Sequence, residues 1–247
     1  MNARFTTLCT LVLLLLAAPA SVNAETVTAA YGDWPPFFDT EKSSGVALEI
    51  TQAAMASQGY TLELIVAPWA RVNVGVKKQQ YDITLGAWWT EERSAYYQYS
   101  EPYLENAIKF IKLKGNDFEY TSLASLNGKQ IGTVRGYGYS DDFLNSNEFR
   151  RQEADDLVSN IRKLINQRID LTLEDEIVAR ATIAKEAPEL ANQITFTSNA
   201  LTVNKLHVAG SKENAKALKA IEAFNLGLAE IKANGTFDAI LARYELK

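Results

Sequence analysis

Short stretches of alternating apolar and polar residues are interleaved with stretches of helical spacing along most of this chain, and that interleaving limits the folds open to it. Residues 26–31 read as a strand ending at the turn Gly32-Asp33-Trp34-Pro35-Pro36, where two prolines break any ladder. Residues 45–55 carry Val46, Leu48, Ile50, Ala53 and Ala54 at near-helical spacing and are closed by Gly59. Residues 60–66 alternate again, 70–76 predict a short helix, and 81–85 another strand. The second half repeats the style. A strand over 130–134 runs into the glycine-rich turn 135–139, and helices over 157–165 and 175–185 flank a strand over 169–173. A late strand over 206–209 precedes an amphipathic helix over 212–232. Strands alternating with helices predict βαβ units on parallel sheets. With no fixed-period repeat and no low-complexity linker, the expectation is two α/β lobes.

Composition excludes several functions. At 247 residues, 47% hydrophobic and 22% charged, the chain can bury a sizeable core and is not a disordered polymer. A formal charge of -5 without a basic run argues against a nucleic-acid binder. One Cys and one His leave nothing for a zinc site or a Cys/His catalytic pair, so neither a metal nor a cofactor is expected. Residues 1–24 read as a secretory signal peptide: Arg4 precedes an apolar run over 8–18, too short to span a bilayer, and Val22 and Ala24 stand at the -3 and -1 positions before Glu25. Cys9 lies in that segment, so the mature chain is expected to be free of cysteine and to need no disulfide. No later stretch approaches 18 apolar residues, and a soluble product outside the cytoplasm is expected.

Several segments, in order, resemble the family 3 extracellular solute-binding proteins, periplasmic receptors that feed polar amino acids to ABC importers. They are Trp34-Pro35-Pro36-Phe37, Pro68-Trp69-Ala70-Arg71, Thr90-Glu91-Glu92-Arg93 with Ser100-Glu101-Pro102-Tyr103 downstream, Leu126-Asn127-Gly128-Lys129, Arg168-Ile169-Asp170 with Asp175, and Ala233-Asn234-Gly235-Thr236-Phe237. Their number and order carry more than any one of them. The resemblance implies the type II periplasmic-binding-protein fold, in which each lobe is a sheet flanked by helices and two hinge strands cross between them. Lobe 1 would comprise residues 25–106 plus 203–247, and lobe 2 residues 107–202. It also implies a monomer in the periplasm, whose partners are an amino-acid-like solute and a membrane permease.

The same resemblance places the ligand residues. An Arg in the position of Arg93 grips the solute carboxylate, a role suited to the planar fork of guanidinium donors, with backbone N–H groups near Gly86 and Trp88 assisting. Asp175 matches the position that receives the ammonium group, while a helix N-cap is its alternative reading; Glu174 beside it is expected to be solvated. Trp34, Trp69 and Trp88 fall on cleft-lining segments, whereas Trp89, of opposite parity, is expected to pack. Many family members carry hydroxyls where this chain has Gly86 and Trp88, and a Thr where the turn has Tyr137 and Gly138. Arg135 beside Gly136 offers a second cation for an acidic ligand, a solvated loop position being its alternative. A rival reading is an enzyme on the same fold resembling the cyclohexadienyl dehydratases, with Asp33, Glu174 or Asp175 as the general acid. The lone His207 is expected to be structural. A third reading, a ligand-sensing module of a signalling protein, predicts a following membrane span, and none precedes Lys247.

Overall fold

The computed structural model describes residues 25–246; the signal-peptide reading falls on residues outside these. The chain begins with β1 (Glu25–Tyr31), α1 (Val46–Ser57), β2 (Tyr60–Val66), α2 (Trp69–Lys77), β3 (Ile83–Trp88), the one-turn α3 (Glu91–Ser94) and β4 (Tyr97–Tyr99). It continues through β5 (Leu104–Leu113), β6 (Gln130–Val134), α4 (Asp141–Asn145), β7 (Arg150–Ala154), α5 (Leu157–Ile165), β8 (Leu171–Asp175) and α6 (Glu176–Glu186). It closes with β9 (Ile194–Ser211), α7 (Ala215–Ala233) and α8 (Thr236–Arg243).

The strands lie in the order β2-β1-β3-β9-β5-β8-β6-β7, with β4 also on β9. The expected parallel pairing is found within each lobe: β1 pairs in parallel with β2 and β3, and β6 with β7 and β8. Between the lobes the pairing is antiparallel, because β5 and β9 run past one another in opposite directions and each also pairs outward, β9 with β3 and β5 with β8. The β5–β9 ladder reaches from Leu104↔Leu206 to Leu113↔Ile194, with register shifts near Lys109.

Only the last part of β9 was expected as a strand. Its middle, Ser198 to Lys205, is exposed or half-buried, whereas its ends enter the two cores. A strand with no buried face over its central residues shows no alternation to read. The strand expected over 81–85 forms at Ile83–Trp88 instead, and the one expected over 169–173 forms at Leu171–Asp175. Asp170 stays outside it and accepts the Gln130 N–H at 2.7 Å, just ahead of the Ile131↔Leu171 pairing.

In lobe 1, α1 and α7 cover one face of the sheet through Ile50, Phe224 and Leu228, while α2 and Tyr97 cover the other around Ala30 and Val72. In lobe 2, Ile161, Leu164 and Ile183 of α5 and α6 pack on Ile111, and Phe110, Phe143 and Phe149 fill the opposite side. Two glycines are required by this packing. Gly45 precedes α1 at φ +136°, and a Cβ there would lie 2.3 Å from the Phe37 carbonyl oxygen. Gly227 sits where α7 crosses α1, and its Cβ would lie 1.9 Å from the Ala54 carbonyl oxygen. Gly227→Ala is therefore expected to lower the melting temperature: forced separation of the two helices costs about 1–3 kcal/mol, more than the gain in helix propensity of about 1 kcal/mol. Thermal melts followed by circular dichroism check this, and an unchanged or higher melting point would contradict it.

Candidate functional site

A cavity of about 470 Å³ lies between the lobes, of a size suited to a small organic solute. Lobe 1 contributes the turn after β1 (Gly32, Asp33, Trp34), the entry to α2 (Ala67, Pro68, Trp69), the end of β3 (Thr84, Gly86, Trp88) and Arg93. Lobe 2 contributes Tyr137 and Gly138 from the turn after β6, Asp155 to Val158 at the start of α5, Glu174, and Thr182 and Glu186 of α6.

Arg93 is placed by a local device. The Thr90 hydroxyl caps α3 by accepting the Arg93 N–H at 3.1 Å, which fixes the short helix that carries the side chain. Arg93 is 5% exposed; its guanidinium donates from Nη1 to the Trp88 carbonyl at 3.0 Å and from Nη2 to the Gly136 carbonyl, and lies 5.3 Å from the Trp69 ring centre. Its hydrogen-bond partners are carbonyl dipoles, and among the described residues no carboxylate pairs with it. A buried cation without a counter-ion is favourably met by an anion that enters beside it.

Other contacts besides that of Arg93 with Gly136 tie the lobes together at this point. Trp69 Nε1 donates to the Gly136 carbonyl at 2.7 Å, Trp34 Nε1 lies 3.4 Å from Glu174 Oε1, and Lys185 Nζ stands 3.0 Å from Asp33. The Asp33 carboxyl is held below the usual range: burial works against this, but the Thr40 N–H and hydroxyl and the Lys185 ammonium outweigh it. The indole of Trp88 sits edge-on to Trp34 and to Tyr137, at 5.6 and 5.5 Å between ring centres, and donates to Asn106 Oδ1 at 3.0 Å. Thr84 is fully buried, and its hydroxyl is a buried side-chain polar atom with no partner among the described residues.

Of the nine residues expected at the site, Trp34, Trp69, Gly86, Trp88, Arg93 and Tyr137 line the cavity. Gly136 stands behind it and acts through its carbonyl, which receives Trp69 and Arg93. Arg135 points away: it is exposed and paired with Glu153 at 2.8 Å and Asp155 at 3.1 Å, so the solvated-loop reading applies. Asp175 also departs from its expected role. Oδ1 caps α6 by accepting the N–H groups of Ile177 at 2.9 Å and Val178 at 3.1 Å, while Oδ2 accepts the Ala107 N–H at 3.1 Å. Both oxygens are thus engaged by the protein, and of these two neighbouring acids it is Glu174 that lines the cavity.

Glu174 was expected to be solvated and is 1% exposed. All five residues of β8 are buried, the strand being covered on both faces, so no position on it is left to solvent. Trp89 was expected to pack and is 52% exposed. His207 lies in β9 outside the cavity, its Nδ1 2.7 Å from the Ser100 carbonyl. Among the described residues no group of His, Cys, Asp and Glu is placed to hold a metal, and no helix is long and apolar enough to cross a membrane. Thr84, Asn106 and Asp156 were not anticipated, since a lone Thr, Asn or Asp without a motif carries no signal until the fold assembles it.

Residues 27–247 match the sequence profile of the bacterial extracellular solute-binding proteins, family 3, and the chain belongs to that family. It is 26% identical over 219 residues to the L-cystine-binding protein TcyJ of Escherichia coli (strain K12), covering 86% of this chain and 79% of that protein. It is 30% identical over 158 residues to a probable histidine-binding protein of Campylobacter jejuni subsp. jejuni serotype O:2 (strain ATCC 700819 / NCTC 11168), covering 64% of this chain and 59% of that one. An ancestral arginine-binding protein bound to arginine shares the fold with a TM-score of 0.74 at 23% identity, over 90% of this chain and 98% of that one. These relatives are binding proteins.

Burial and the adjacent Asp175 carboxylate push Glu174 up to about 8. The folded protein therefore holds a proton there that the unfolded chain releases near pH 4.5. On that account stability falls as pH rises from about 4.5 to about 8 and is level above. Glu174→Gln removes this slope. Its melting temperature, relative to the unsubstituted protein without solute, is expected to rise between pH 5 and pH 8 (about the two ends of that window); an equal difference at both pH values would contradict the assignment.

Proposed function

We propose that this protein is a monomeric periplasmic receptor that closes on an amino acid and delivers it to the membrane permease of an ABC importer. Its lobes in this reading are residues 25–106 with 203–247, and 107–202. The β5–β9 ladder supports these limits, since Ala107 and Val203 face each other within it. One observation carries the reading: the buried Arg93 guanidinium, free of any carboxylate partner among the described residues, stands at a cavity walled by both lobes. A solute carboxylate would take the remaining N–H groups of that fork. Trp34 and Trp69 would cover the solute with their rings. A solute that touches both lobes makes all its contacts only in the closed form and so shifts the lobes towards closure. The names of the relatives, a cystine-binding, a probable histidine-binding and an arginine-binding protein, support an amino acid as cargo. The family's extracellular character and the leader-like residues 1–24 support export.

The departure from the family pattern at Trp88 gives this cleft its own shape. Where a hydroxyl is common, the indole fills the space between Trp34 and Tyr137. Backbone groups around Gly86 and the orphan Thr84 hydroxyl then remain to meet the solute.

One observation favours a second reading. A buried carboxyl raised to about 8 and facing the cavity is suited to act as a general acid at neutral pH. An enzyme resembling the cyclohexadienyl dehydratases would use it so, and incubation with a cyclohexadienyl acid, followed by the absorbance of an aromatic product, separates enzyme from receptor.

The receptor reading is tested by a thermal-shift screen of the L-amino acids and by calorimetry of those that respond. A solute at 100 times its dissociation constant stabilises by about 2.7 kcal/mol. Arg93→Lys is expected to weaken that solute ten- to a hundredfold, since a hydrogen bond to a charged group contributes about 1.5–3 kcal/mol. Undiminished affinity in a folded Arg93→Lys protein would remove Arg93 from the site, and silence from every amino acid would overturn the reading.

A further inference from the structure

We infer that Glu174 is a specificity-determining residue of this cleft, the anion that receives a positively charged side chain of the solute, so that the amino acid bound is a basic one. The inference rests on the amino-acid reading above and narrows it.

The first ground is the charge on the cavity wall. Arg93 stands against Asp33, Asp155, Asp156 and Glu186, and Glu174 joins them once its proton leaves. A neutral amino acid brings one carboxylate and one ammonium group, which cancel, and leaves that acidic excess as it was. A third charge on the solute, positive, offsets it.

The second ground is what each acid has for a partner. Asp33 has Lys185 at 3.0 Å, Asp155 has Arg135 at 3.1 Å, and Asp156 accepts the Ser159 N–H at 2.6 Å as the cap of α5. Glu186 is exposed at the edge of the cavity. Glu174 is buried and has no ion pair among the described residues. Its Oε1 accepts the Asp175 N–H at 2.9 Å and faces Trp34 Nε1 at 3.4 Å, while Oε2 has no hydrogen-bond partner among the described residues. Around it stand Asp175 on its own strand, Tyr137 and Tyr139 from the turn after β6, and Trp34 from the turn after β1; none of these is a cation.

A buried carboxyl short of partners is costly as an ion. A guanidinium or ammonium arriving beside it supplies both the charge and the missing donors. Trp34, Trp88 and Tyr137 line the same cavity and present rings to that cation. Asp175 cannot take this part, because the cap of α6 and the Ala107 N–H hold both its oxygens.

The test is calorimetry of the full mature chain with two matched pairs, L-arginine against L-citrulline and L-lysine against L-norleucine, in which shape is kept and the side-chain charge removed. The charged member of each pair is expected to bind at least about tenfold tighter, and Glu174→Gln to bring the ratio close to one. Equal affinities within the pairs in the unsubstituted protein overturn the inference and leave the amino-acid reading standing. Failure of every amino acid to bind overturns both. A ratio preserved in a Glu174→Gln protein that circular dichroism shows to be folded removes Glu174 from the role. Should that variant not fold, Glu174→Asp takes its place: drawing the carboxylate back by one methylene is expected to shrink the ratio, and a ratio unchanged in the folded Glu174→Asp protein overturns the inference.

Discussion

The antiparallel pairing of β5 with β9 is the constraint on which the rest of the structure depends. Each lobe is a conventional parallel βαβ arrangement, and nothing in such an arrangement calls for a second lobe. The two crossing strands place one at each end of a shared ladder, from Leu104↔Leu206 to Leu113↔Ile194. Because β9 pairs outward with β3 and β5 pairs outward with β8, the cleft-lining ends of β3 and β8 are set at a separation decided by that ladder. Trp88 and Glu174 stand on those ends, and Asn106, on β5 itself, receives the Trp88 indole N–H and reaches towards Asp175.

Around this frame the cleft is organised by charges removed from water. Arg93 is buried with carbonyl oxygens for partners, and one of these, Gly136, belongs to the opposite lobe and also receives Trp69. Glu174 is buried with an N–H of its own strand and a distant indole for partners. Neither arrangement satisfies its group as an ion pair would. A solute able to complete either of them gains more than its contact area suggests, and a cleft closed around it excludes the water that would weaken those contacts.

Much of the fold was legible because hydrophobic period reports one-sided burial. α5 falls on Leu157–Ile165 as its spacing implied, and β6 on Gln130–Val134. The reading failed where burial was two-sided or absent. β8 is buried on both faces, so Glu174, expected in solvent beside Asp175, belongs to the cavity wall. The centre of β9 has no buried residue between Ser198 and Lys205, so the longest strand among the described residues was seen only at its end. Trp89 is exposed although its parity, opposite to that of Trp88, suggested packing. At the site, residues within segments of family character, such as Trp34, Trp69 and Arg93, reached the cavity. Assignments that hung on the direction of a single side chain did not: Arg135 turned to Glu153 and Asp155, and Asp175 to its own helix.

The sequence by itself determined the α/β class, the alternation of elements, the family and the segments that border the cleft, because these follow from local period and from motifs read along one chain. Which carboxyl of Glu174 and Asp175 faces the solute was decided only in three dimensions. The two are adjacent on one strand, and the choice depends on which finds backbone donors from elsewhere. Asp175 finds them at the start of α6 and on β5, 68 positions away at Ala107. Glu174 is left with the cavity. That competition for donors is a property of the assembled lobes, and no local pattern carries it.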